Sequence, residues 1–152
     1  MDSLPFKILA AAAVLAVASL VPPDAQAKRR QNFAGPVSAQ VVEVLDGDTF
    51  VADAEIWPGQ TLRVNVRIRG IDTPEMKSRC RAERDAALMA RSALAELVAE
   101  RAVSLTNIGS AKYYGRVLAD VSTETGAAIG AAMLKDGLVR PYGGGKRAGW
   151  CG

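Results

Sequence analysis

The stretch Thr61–Arg69 constrains the fold most. Leu62, Val64, Val66 and Ile68 alternate with Arg63, Asn65, Arg67 and Arg69. Apolar and polar residues at period two describe a strand with one face buried and one face wet. Two further β-rich runs precede it, Gln40–Leu45 and Thr49–Ala54. Asp46-Gly47-Asp48 and Trp57-Pro58-Gly59 read as the turns between the three, so they form a meander. From Arg81 to Arg101 the period becomes helical. Ala86, Met89, Ala90, Ala93 and Leu97, extended back to Ala82, make the apolar stripe. Val103–Ile108 and Arg116–Ser122 are two more strands around a turn at Gly109–Gly115. Thr125 is placed to cap a short helix from Gly126 to about Asp136, with Gly137 as its stop.

The element order is β-β-β-α-β-β-α. It predicts an α+β, mainly β domain: a five-stranded Greek-key barrel of the OB type with two helices. Other small α+β folds share this order. Arg140–Gly152 is Gly-rich and basic, and no regular structure is assigned to it.

The first 27 residues differ from the rest. Lys7 precedes an apolar run from Ile8 to Val21, followed by Pro22-Pro23-Asp24 and Ala25-Gln26-Ala27. That is the plan of a secretory signal with an A-x-A cleavage site, and the run is short for a bilayer span. The alternative is an uncleaved anchor. With no cysteine near the site, a lipoprotein is not expected. The chain reads as residues 1–27 signal peptide, 28–39 flexible segment, 40–142 folded domain and 143–152 tail. The expected product is exported, periplasmic or secreted, monomeric and without stable membrane association once the signal is cleaved. Removing Asp2, Asp24 and Lys7 takes the net charge from +3 to +4, which permits an anionic partner without requiring one. Export would place Cys80 and Cys151 in an oxidising compartment, where a bridge persists. Paired, they close a loop of about 70 residues, which chain entropy values at about 4 kcal/mol. The alternative is two free thiols.

The chain contains no histidine. That excludes Ser-His-Asp and Cys-His catalysis and His-rich zinc sites. Acid–base work falls to carboxylates, and a metal is expected to be a hard cation held by oxygens. Asp46-Gly47-Asp48-Thr49 and Gly70-Ile71-Asp72-Thr73-Pro74-Glu75 each read alone as an ordinary turn or loop. Together they say more. Asp48 starts the second strand and Asp72 follows the third, and in a meander those ends meet at one sheet edge. Two carboxylates there suit Ca²⁺ or Mg²⁺ with waters completing the shell. Glu75 is near enough to act on a bound water. Arg67, on the polar face of the third strand, and Arg116, at the start of the fifth, are either solvated arginines or a pair clamping a phosphate. A cation, a free carboxylate and two guanidiniums are parts for phosphodiester hydrolysis.

LDGDTF at 45–50, VRIRGIDTPE at 66–75 and YGRVLADV at 114–121 resemble the three signature blocks of the staphylococcal nuclease, or thermonuclease, family. The resemblance runs from about Gln40 to Tyr142. It implies a five-stranded OB barrel and Ca²⁺-dependent cleavage of DNA and RNA, single strands favoured, to products with 3′-phosphates. Carried over, Asp48 and Asp72 match the calcium carboxylates and Thr73 the residue adding a carbonyl ligand. Glu75 matches the carboxylate that orients water, and Arg67 and Arg116 the phosphate-binding pair. Tyr114 matches a tyrosine of the nucleotide site, and its ring could stack on a base.

The chain departs from the pattern in three places. The lysine before that tyrosine is replaced by Tyr113, with Lys112 one step earlier. The family's C-terminal helix is absent or reduced, and Tyr142 is either a base-stacking residue or a rim aromatic. The Cys80/Cys151 pair is foreign to the type member. It is similar to the arrangement in shorter exported proteobacterial relatives, whose tails also end in a Gly-rich Trp-Cys segment. A bridge there is expected to tie down the tail in place of a helix. Two other readings stand beside the nuclease: a nucleic-acid-binding OB module without catalysis, and an envelope scaffold domain. A salt-sensitive gel shift without cleavage marks the first of these. A phosphodiesterase assay with and without calcium separates the second from a nuclease.

Overall fold

A computed structural model describes residues 32–99 and 102–151. The proposed signal peptide and the 28–31 part of the flexible segment lie outside them. Among the described residues no helix is long and apolar enough to cross a membrane.

The elements are β1 (Val37–Val44), β2 (Thr49–Trp57), β3 (Gln60–Ile68), β4 (Ile71–Asp72), α1 (Arg81–Val98), β5 (Ala102–Ser110), β6 (Arg116–Thr123), α2 (Ile129–Lys135) and β7 (Arg140–Pro141). Strands β1-β2-β3-β6-β5 close into a barrel. All neighbours pair antiparallel except β3 and β6, which run parallel. This is the closed five-stranded, mainly β architecture with two helices that the element order predicts. Strand β1 starts at Val37, before the expected Gln40, because its first residues pair with β5 while its later ones pair with β2. A bulge between Val41 and Glu43 bends it between the two partners, as barrel closure requires.

The interior is filled by Phe50, Ala52, Val66, Ile68, Leu105, Ala119 and Val121. Small residues suit a barrel this narrow, where opposite walls approach closely. The alternation in β3 holds at Val66 and Ile68, but Leu62 is half exposed because the β2–β3 hairpin runs out beyond the barrel. At its tip Trp57 closes the last pair with Gln60. Pro58-Gly59 makes the turn, and Gly59 takes the φ of +75° that such a turn demands.

Helix α1 closes one end of the barrel with Ala87, Ala90, Leu94 and Val98. The buried stripe is therefore rotated from the one read in the sequence. Met89 is exposed, since the face turned into the core is the one that carries Ala87, Ala90, Leu94 and Val98. It stops at Val98, short of Arg101. Helix α2 begins at Ile129, and Thr125 does not cap it. Instead the Thr123 hydroxyl accepts from the Ala127 N–H at 3.1 Å, and Ala128 bridges Ser122. These bonds hold residues 127–128 extended against β6, so the helix starts later. The tail also carries structure the sequence did not suggest. Strand β7 pairs antiparallel with β4, Asp72 opposite Arg140 and Ile71 opposite Pro141.

Candidate active site

The meander places Asp48 and Asp72 at one edge. Thr49 pairs with Arg67, and the Ile68 N–H donates to the Asp48 carbonyl at 2.8 Å, extending the ladder by one residue. The turn before β2 is held by Leu45 and Asp46 N–H groups on the Thr49 carbonyl, and by the Asp46 carboxylate accepting from the Asp48 N–H. Gly47 is buried at its apex against Thr73 and Ala90.

Asp48 is 0% exposed. Its Oδ1 accepts from the Thr49 hydroxyl at 2.8 Å and from Arg67 Nη1. Its Oδ2 has no hydrogen-bond partner. Burial first, then the nearby Asp46 charge, pushes this carboxyl up to about 7, against the pull of Arg67 and the Thr49 hydroxyl. Asp72 is also buried, and Arg67 Nη2 lies 4.0 Å from its Oδ1. One guanidinium therefore spans both carboxylates, and Nη2 also donates to the Ile71 carbonyl at 3.3 Å.

An orphaned buried oxygen is costly unless something positive or a donor meets it. Asp48 Oδ2 beside Asp72 is therefore a donor set that fits a hard divalent cation. No group of three acidic or sulfur side chains converges among the described residues. Such a cation would be held by Asp48 and Asp72, with backbone and water oxygens making up the rest. Thr73 is buried beside them, its hydroxyl without a partner.

The parallel β3–β6 pairing sets the arginines. Arg116 is opposite Asn65, two residues before Arg67, so Arg67 and Arg116 share one face of the sheet. Both line a cleft of about 390 Å³ together with Glu75, Lys77, Tyr113 and Arg147. Arg116 Nε is buried without a partner, and its guanidinium lies 5.4 Å from the Tyr113 ring centre. Glu75 is exposed on the loop between β4 and α1. Glu83, in the first turn of α1, ties that loop down. It accepts from the Glu75 N–H at 3.1 Å and from the Ser78 hydroxyl at 2.6 Å. These bonds, the Ser78 one foremost, hold the Glu83 carboxyl below its ordinary value.

The other residues singled out in the sequence are more scattered. Tyr114 is fully exposed, and Tyr113 is the tyrosine lining the cleft. Lys112 stands over the Tyr113 ring, 5.6 Å from its centre. The Tyr142 hydroxyl donates to the Gly145 carbonyl at 2.8 Å within the tail. Cys80 and Cys151 are disulfide-bonded, as one of the two sequence readings expected.

Arg147 is the residue that sequence reasoning missed. Its Nε donates to Asp72 Oδ1 and its Nη1 to Glu75 Oε1. A signal was present, since Cys80 is five residues past Glu75 and Cys151 four past Arg147. A bridge between them brings a basic tail to the acidic loop.

A family model described as staphylococcal nuclease homologue matches residues 65–147, more than half of the chain. No curated protein matches significantly.

Proposed function

Because the chain belongs to the staphylococcal nuclease homologue family, we propose that it hydrolyses phosphodiester bonds of DNA and RNA in a calcium-dependent reaction, leaving 3′-phosphates. One observation carries the reading. Arg67 spans two buried carboxylates, Asp48 and Asp72, and itself lines one cleft with Arg116 and the solvent-facing carboxylate Glu75.

Each side chain has a task its surroundings suit. Calcium held by Asp48 and Asp72, with Thr73 alongside, would supply positive charge to a phosphate oxygen. Glu75, exposed on its loop, accepts a proton from the attacking water or orients it. Arg116, with Nε unpartnered and its plane beside Tyr113, is free to fork onto phosphate oxygens. Arg67 joins it from the same sheet face while keeping Asp48 in place. Both meet the charge that grows on the phosphorane-like transition state. The cleft is open and small, which suits a single strand. Tyr113, Tyr114 and Lys112 beside it offer stacking and charge that tolerate any base.

The test is digestion of single-stranded DNA in calcium, with and without chelator, followed by end-group analysis. The expected result is cleavage that chelator abolishes, with 3′-phosphate ends. A salt-sensitive gel shift with no cleavage in calcium would overturn the proposal in favour of a binding module. Export to the periplasm or medium belongs to the same reading, supported by the sequence of residues 1–27. Accumulation of the mature protein in the cytoplasm would contradict it.

A further inference from the structure

After Pro141 the chain turns back over the site. The Tyr142 N–H donates to the Gly70 carbonyl at 2.8 Å. Gly144 and Gly145 follow with φ of +105° and +90°, a turn that side chains would strain. Arg140 donates to the Gly149 carbonyl at 2.8 Å and stacks 3.6 Å from the centre of the Trp150 ring. Cys151 is then bonded to Cys80, beyond the loop that carries Glu75. Residues 142–151 are a strap fastened at both ends.

The strap delivers one charge to the site. Arg147 bridges Asp72 and Glu75, whereas its equally exposed neighbour Lys146 makes no ion pair among the described residues. The oxygens it covers are those the cation and the attacking water need. Arg67 Nη2 already stands 4.0 Å from Asp72 Oδ1, so a second guanidinium bonded to that oxygen competes with a divalent cation for it, since like charges a few ångströms apart repel strongly away from bulk water.

We infer that Arg147 is a resident counter-ion of the acidic cluster, which a calcium ion must displace from Asp72 before the site is loaded. The inference rests on reading Asp48 and Asp72 as the cation site. Without calcium, Arg147 neutralises Asp72 and occupies Glu75. With calcium bound, Asp72 is taken, and Arg147 and Glu75 are released together. The tether makes the competition intramolecular, so the local concentration of guanidinium is high and does not fall on dilution. The apparent calcium affinity is then lower than the oxygens alone would give.

The test is calorimetric titration of calcium chloride into the disulfide-bonded protein, comparing wild type with R147Q, R147K and K146Q. R147Q is expected to bind calcium about tenfold more tightly, since a fork shared by two carboxylates exceeds an ordinary surface pair. R147K keeps the charge but cannot bridge both carboxylates, and its affinity is expected between the two. K146Q removes the same charge one residue away, and a change within about twofold is expected. Melting curves in chelator check that each variant is folded. Equal or weaker calcium binding by R147Q and R147K than by wild type overturns the inference and leaves the cation site standing. Absence of calcium binding in every variant overturns both.

Discussion

A Cβ built on Gly47 would lie 2.6 Å from the Cβ of Ala90 and would also overlap the Thr73 hydroxyl. The acidic turn before β2 and helix α1 therefore touch backbone to side chain, and Asp48 is placed by that contact. G47A is expected to force the turn off the helix, at the overpacking cost of about 1–3 kcal/mol. It should lower both the melting temperature and calcium affinity. Wild-type values for both would show that the turn is not seated by this contact.

The two arginines should separate by their effects. Arg67 is the partner of a wholly buried carboxylate, whereas Arg116 has a buried Nε with no partner. R116A is expected to lower kcat by about 10²–10³, the usual loss for one donor on a developing charge, with little change in melting. R67A should lose rate similarly and also about 2 kcal/mol of stability, because the buried Asp48 loses its charged donor and keeps only the Thr49 hydroxyl. E75Q, on the exposed side, should cost about 10²–10⁴ in rate with melting unchanged. Single-turnover digestion and thermal melts on the three variants provide the check.

The bridge closes a loop with a sequence separation of 71. Chain entropy assigns such a loop about 4 kcal/mol. The C80S/C151S variant is expected to melt on the order of 10–20 °C lower than the oxidised protein. Reduced wild type should match it. Coinciding melts of oxidised and reduced protein would mean that the strap is held by β7 and Trp150 alone.

Glu83 carries a pH signature. Its folded carboxyl titrates below its ordinary value of 4.5. A depressed carboxyl stabilises the fold above its unfolded value and loses that contribution as pH falls through its folded value. Wild type should therefore be more stable than E83Q at pH 7. The gap should close on acidification below about 4.5, the ordinary value for this carboxyl. A gap that widens on acidification would reverse the assigned sign. Melting of both proteins from pH 7 to pH 3 measures it.

The barrel was legible because its signals are local. The alternation through Val66 and Ile68, the Pro58-Gly59 turn and the 3.6 period of α1 each declare themselves within a few residues. The approach of Asp48 to Asp72 was legible by topology, since strand ends in a meander meet, whereas the place of Arg116 on the Arg67 face follows from the parallel β3–β6 pairing. What was not legible depends on contacts between distant segments. The rotation of α1 follows from which of its faces fits the barrel mouth. The late start of α2 follows from the Ser122–Ala128 bridge. The reach of Arg147 follows from β4–β7 pairing across about seventy residues, and no periodicity in a Gly-rich tail announces a two-residue strand. Tyr113 shows the same limit. The family pattern draws attention to Tyr114, but the geometry of the 111–115 loop decides which ring faces the cleft.

The ion pairs of Arg147 join residues 75 and 72 positions apart, and this imposes an order of assembly. A nascent chain presents Asp72 and Glu75 long before residue 147 has been made. Every strand of the barrel is already synthesised by then. The acidic cluster is thus born without Arg147, and the strap arrives after every strand of the barrel. A chain cut short before Arg147 would carry every barrel strand and the carboxylates yet lack the guanidinium that bridges Asp72 and Glu75.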